Sequence, residues 1–191
     1  VMNYSILQNF SKEFYFKEPF PHIIIEDALP TELYEKILSS VPKDLIKNEG
    51  NNFRRNIYYN KLQDHHKDSH FAKFISYHES PLFYNEFVKI FFNEINQEDS
   101  KIVDQSKKMI ERKNYQAHYE KKFSNNFLLL DCCFGYNSKV DSPTSVRGPH
   151  LDRLDKIMIG LFYLKKKNEI SQGGDLLVYK WNENIDYNMK K

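Results

Sequence analysis

SVRGPHLDRLDKIMIGLFYL, residues 145–164, followed by QGGDLLVYK at 172–180, is the stretch whose reading decides the fold. Its His150 and Asp152 stand two apart, and in an extended strand side chains two apart point to the same face, so both can grip one ion. One imidazole and one carboxylate on a face are the first two members of the facial triad that holds non-haem Fe(II). Lys156 to Leu164 is rich in Ile, Leu, Phe and Tyr and has the length of a buried strand. Gly173-Gly174 is a turn signal that feeds a second strand, Asp175 to Trp181. The triplet is therefore expected on a β scaffold, not on a helix.

Taken together, His150-x-Asp152, the Tyr163-Leu164 pair and the Gly173-Gly174-Asp175 turn resemble the iron-binding half of the Fe(II)- and 2-oxoglutarate-dependent oxygenases, in the prolyl-4-hydroxylase-like branch. The resemblance implies an α+β fold in which N-terminal helices pack on a double-stranded β-helix, a cupin-like jelly roll. It assigns 1–122 to a mainly helical support region and 123–191 to the first half of the β-helix core, within a single domain.

Composition agrees with one ordered domain. The chain has 191 residues, enough for one core, and aromatics make up 15% of it, with 15 Phe and 13 Tyr to fill a sheet interior. With 28 Lys and Arg against 26 Asp and Glu the charge is balanced, so no nucleic-acid partner is expected. No stretch is long and apolar enough for a membrane span, and no basic-then-apolar leader opens the chain. A cytoplasmic protein acting on a small-molecule or peptide substrate is the expectation. Cys132 and Cys133 are adjacent and would point to opposite strand faces, which suits two buried free thiols rather than a disulfide.

Earlier in the chain, Pro19 to Asp27 reads as a strand whose Ile23, Ile24 and Ile25 are covered on both sides, and 27–30 as a turn. Thr31 is the expected N-cap of a helix carrying Leu33, Ile37 and Val41 until Pro42. Phe53 to Asn60 is an expected edge strand with Arg54 and Arg55 on opposite faces, the inward one a solvated guanidinium before it is a substrate ligand. Ser69 caps a predicted helix with Phe71, Phe74 and Ile75 inward. Ser80-Pro81 opens another, with Phe83, Phe87, Ile90, Phe91 and Ile95 in one stripe. Ser100 to Lys113 reads as a charged helix, and Phe123 to Tyr136 as a central strand leading to the site.

In the family, His150 and Asp152 would bind iron and 2-oxoglutarate would chelate it, with ascorbate a possible reductant. Tyr136 and Tyr163 would flank the co-substrate, although either ring also suits ordinary aromatic core. Arg147 and Arg153 beside the triplet read as solvated loop cations. The sequence departs from the family in carrying no histidine after His150 and no arginine after Arg153. Ten residues after Trp181 are too few for the return strands, so an incomplete domain is expected. Two other readings stay open: a non-catalytic jelly-roll binding module, or a metal enzyme completed by the N-terminal His65, His66, His70 and His78. Of these, His66 and His70 stand four apart, one helical turn, a spacing that can chelate zinc.

Overall fold

The computed structural model describes residues 2–46, 50–51, 53–98, 108–114, 127–138, 140–142, 156–165, 168–170 and 176–179. Helix α1, Thr31–Ser39, starts at the expected cap residue itself, one position earlier than the sequence predicts. The capping residue is Pro30, extended at φ −55° and ψ 138°, and its carbonyl accepts the Tyr34 N–H at 2.9 Å. Thr31 is then the first helical residue. Leu33 and Ile37 are the buried stripe. Just upstream, Asp27 holds φ 51°, a left-handed position Asp tolerates in the expected turn.

Helix α2, His70–His78, begins as its sequence predicts, with the Ser69 hydroxyl accepting the Ala72 N–H at 3.1 Å. A second hydroxyl, Ser40 at the end of α1, accepts the Phe71 N–H at 2.9 Å, so two otherwise unpaired donors are satisfied from two directions. Phe71, Ala72, Phe74 and Ile75 are all buried. Helix α3, Pro81–Glu98, buries Phe83, Phe87 and Phe91 and kinks at Phe91, where φ −104° and ψ 19° leave the helical region.

Two apolar clusters result. Leu29, Leu33, Ile37, Ile57, Leu62 and the α2 residues form the first; Leu7, Phe83, Phe87 and Phe91 form the second. The N-terminal segment is tied across the α2–α3 junction by polar contacts. The hydroxyls of Ser5 and Tyr77 both donate to Glu86, and the Tyr4 hydroxyl pairs with His70 Nδ1 at 2.8 Å.

Among the described residues the strands form three two-stranded ladders and no closed barrel. β1 (Tyr15–Phe16) pairs antiparallel with β2 (His22–Ile23). β3 (Arg54–Tyr58) pairs antiparallel with β6 (Cys133–Asn137), and β4 (Lys108–Glu111) parallel with β5 (Phe127–Leu130). Three expectations change. Residues 108–111 of the expected charged helix are strand, because Ile110 is buried and pairs with Leu129; 100–107 lie outside the described residues. The isoleucine run alternates, with Ile23 and Ile25 packed on the second cluster and Ile24 58% exposed. The expected central strand breaks at Asp131-Cys132 into β5 and β6, which belong to different ladders. No helix among the described residues is long and apolar enough to cross a membrane.

At the C-cap of α2 sits Glu79, fully buried, with neither carboxylate oxygen hydrogen-bonded among the described residues. Burial pushes its pKa up to about 7; the Lys113 side chain and backbone, near but outside hydrogen-bond geometry, oppose that, and Glu111 and Asp131 add to it. Next to it, burial pushes His78 down to about 4. The two oppose each other as pH changes. Glu79 binds its proton more tightly in the native state, so its contribution is complete below pH 4.5 and lost as pH rises through about 7. His78 resists protonation in the native state, so its contribution is complete above pH 6.5 and lost as pH falls through about 4. Glu79→Gln should therefore remove a loss of up to about 3 kcal/mol on going from pH 4.5 to 7, so that stability falls less with pH in this range than in the parent protein. Urea unfolding of both proteins across that range checks this; parallel pH profiles would refute it.

Candidate functional site

Residues 156–165, of which 156–164 were expected as a strand, are not assigned to a strand ladder among the described residues, yet they lie against the helices and show two unlike faces. Phe162 and Leu164 pack on the first cluster, with the Phe162 ring centroid 5.0 Å from Phe74 and 6.2 Å from Tyr34. The Tyr34 hydroxyl clamps the end of the segment, donating to the Lys165 carbonyl and accepting its N–H, each at 2.7 Å. On the other face Ile159, Leu161 and Tyr163 are 51–56% exposed. Strand alternation thus puts Tyr163 on the side away from the helical core.

Ladder β3–β6 is two-faced as well. On its core side Ile57 is buried, and Phe134 meets Phe71 edge-on at 5.3 Å. Tyr136 shares the Phe134 face, half-buried, directly opposite Arg55 in the register. The open side carries Arg54, Asn56 and Tyr58 across from Asn137, Gly135 and Cys133. Of the two arginines, Arg54 is the exposed one and Arg55 lies half-buried on the core side, where a merely solvated guanidinium was expected. The two sequence-selected tyrosines therefore sit on different sides of their strands: Tyr136 faces the helices and Tyr163 faces away.

His150, Asp152, Arg147, Arg153 and the Gly173-Gly174-Asp175 turn lie outside the described residues. The N-terminal histidines do lie within them, and each engages protein groups. His65 and His66 occupy a 3-10 turn, Asp64–His66, with ring centroids 3.9 Å apart, and His66 Nε2 lies 3.1 Å from Asp44. Helix α2 starts only at His70, so His66 and His70 do not share a helix face. His70 is engaged with Tyr4, while His78 accepts the Ile6 N–H at Nε2 (3.3 Å) and donates from Nδ1 to the Phe74 carbonyl (2.8 Å). Among the described residues no three His, Cys, Asp or Glu side chains come together as a metal set.

A group of charges that the sequence did not single out gathers where β5 passes into β6. Cys132 is half-buried and Cys133 exposed, where two buried thiols were expected, because β6 alternates and only one of two neighbours can face the core. Burial pushes the Cys132 thiol up, helped by Cys133, Glu79 and Asp131. Burial and then Asp131 also raise Cys133, while Arg54, Arg112 and Lys156 pull it down. These cations come from three separate parts of the chain, so no local motif announces them.

No family model, curated protein or solved structure matches this chain.

The face assignment makes a direct prediction. Phe162→Ala should cost about 2–3 kcal/mol of unfolding free energy, whereas Tyr163→Ala should cost under about 1 kcal/mol. Equal losses in urea melts would show that the segment presents its faces otherwise.

Proposed function

We propose that this chain carries the iron-binding half of an Fe(II)- and 2-oxoglutarate-dependent dioxygenase, a hydroxylase of a small-molecule or peptide substrate. The observation that carries the reading is the sequence order His150-x-Asp152, apolar strand ending in Tyr163-Leu164, then Gly173-Gly174-Asp175. The two-faced segment 156–165 supports it. One apolar face rests on helices while the other displays Ile159, Leu161 and Tyr163, as a strand does when a second sheet covers its far side.

The donor chemistry of His150 and Asp152 fits a ferrous ion: an imidazole and a carboxylate at strand spacing supply two of its three protein ligands and leave positions for co-substrate and oxygen. Iron and 2-oxoglutarate, when bound, would supply oxidation by O2, one oxygen atom entering succinate as 2-oxoglutarate loses CO2 and the other entering the hydroxylated C–H bond of the substrate. The chain's own residues bind, orient and shield. Tyr163, on the face away from the helices, is one candidate phenol to donate a hydrogen bond to the far carboxylate of the co-substrate. Tyr136, on the core side, is the second candidate for that contact. Ile159 and Leu161 flank Tyr163 at alternate positions and give the site an apolar wall that excludes water.

Anaerobic Fe(II) titration with metal analysis should show weak, stoichiometric binding that falls at least about tenfold in His150→Ala and in Asp152→Ala. Full iron occupancy in either variant would remove that residue as a ligand. The 191 residues alone are expected to be inactive; in a protein that also carries a third iron ligand and a basic residue for the co-substrate, supplied with Fe(II), 2-oxoglutarate, ascorbate and oxygen, succinate should form, and Tyr163→Phe should raise the 2-oxoglutarate KM about tenfold with iron binding unchanged. No succinate under any condition would favour the binding-module reading.

A further inference from the structure

Between the N-terminal segment and the start of α1 lies a cavity of about 200 Å³. Met2, Pro30 and Leu33 give it apolar walls, and Asn3, Gln8, Glu32 and Lys36 give it polar ones. Its two sides are tied to one another. The Asn3 side chain accepts the Ser5 N–H at 3.0 Å and shapes the segment, while Asn9 donates to the Asp27 carbonyl at 3.2 Å and joins the segment to the turn before α1.

Two opposite charges stand on the α1 wall, one helical turn apart, with Lys36 Nζ donating to Glu32 Oε1 at 2.6 Å. The Glu32 side chain is 81% exposed and that of Lys36 37%, so the pair is a surface ion pair that contributes little to stability. A ligand that brings both charges can replace it at small cost. Gln8 adds a neutral donor: its side-chain nitrogen is buried and has no hydrogen-bond partner among the described residues. An amide donor without an acceptor is costly, and the soft terminal torsion of a glutamine lets it turn to a ligand oxygen in the cavity it lines.

The charge pattern and the volume select the ligand. A simple anion would meet Glu32 and a simple cation would meet Lys36, whereas a molecule with ammonium and carboxylate on one carbon offers each its opposite. At ~30 Å³ per water the cavity has room for about seven waters, enough for one amino acid and too little for a nucleotide. The apolar wall favours an aliphatic side chain. We propose that this cavity binds a free aliphatic amino acid, with Glu32 holding the ammonium, Lys36 and Gln8 the carboxylate, and Met2, Pro30 and Leu33 the side chain. The site involves neither His150, Asp152 nor a metal and stands apart from the dioxygenase reading.

The test is calorimetric titration of the metal-free protein with L-leucine. Two further probes, 4-methylpentanoate and 3-methylbutylamine, keep only the carboxylate or only the ammonium of leucine. L-Leucine should bind saturably with a Kd of about 1 mM or tighter, and each single-charge probe at least about tenfold more weakly. Glu32→Gln and Lys36→Gln should each weaken leucine binding at least about tenfold, the size of one lost charge-assisted hydrogen bond, with helix content by circular dichroism unchanged. Glu32→Gln, at the more exposed position, carries the comparison if Lys36→Gln does not fold. No saturable leucine binding, binding of either single-charge probe as tight as that of leucine, or leucine binding unchanged in the variants would overturn the proposal. Iron and 2-oxoglutarate are absent throughout, so failure here leaves the dioxygenase reading standing, and failure of that reading leaves this one.

Discussion

Helix α2 depends on burying Phe71, Phe74 and Ile75, and much of the described architecture depends on where those side chains go. Phe71 meets Phe134 of β6, and Phe74 meets Phe162 of the extended segment, so one helix face supports two separate pieces of β structure. Burying aromatic rings of this size contributes on the order of 1.5–3 kcal/mol each, which is large against the net stability of a domain. The caps from Ser69 and Ser40 fix the start of the helix, and with it which residues reach the strands.

That support is one-sided. Helices cover Ile57, Phe134, Phe162 and Leu164, while the reverse of the same backbone shows apolar side chains on one segment and polar, cationic ones on the ladder. An apolar row at Ile159, Leu161 and Tyr163 is costly to leave in water, whereas Arg54, Asn56 and Asn137 are well solvated where they are. The two surfaces therefore differ in kind: the first suits a covering layer or an enclosed site, the second suits solvent.

The α2–α3 junction carries a cost of its own. Glu79 is buried without a hydrogen-bonded partner among the described residues, and the neighbouring His78 is held neutral by burial, with both ring nitrogens engaged. A buried carboxylate escapes part of its desolvation penalty by keeping its proton, at the expense of a pH-dependent stability. Aromatic packing at Phe74, Tyr77 and Phe83 around His78 offsets that penalty locally.

Local chemistry by itself determined several elements. The Ser69 cap, the proline start of α3 and the 3.6-residue recurrence of Phe83, Phe87 and Phe91 all follow from neighbouring residues, because a helix is built from contacts within a few positions. The extended character of 54–58, 127–130 and 133–137 was legible for the same reason. Only the tertiary structure decided that 108–111 is strand rather than helix, since its charged surroundings leave the choice to the long-range pairing of Ile110 with Leu129. It also decided which of Arg54 and Arg55, and which of Tyr136 and Tyr163, faces the core. Alternation says that neighbours part, and a distant helix says which one turns in. The gathering of Arg54, Arg112 and Lys156 was invisible for a related reason. Charges far apart in sequence come to act on one thiol only when separate strands and a turn fold against one another, and no spacing rule within the chain encodes that.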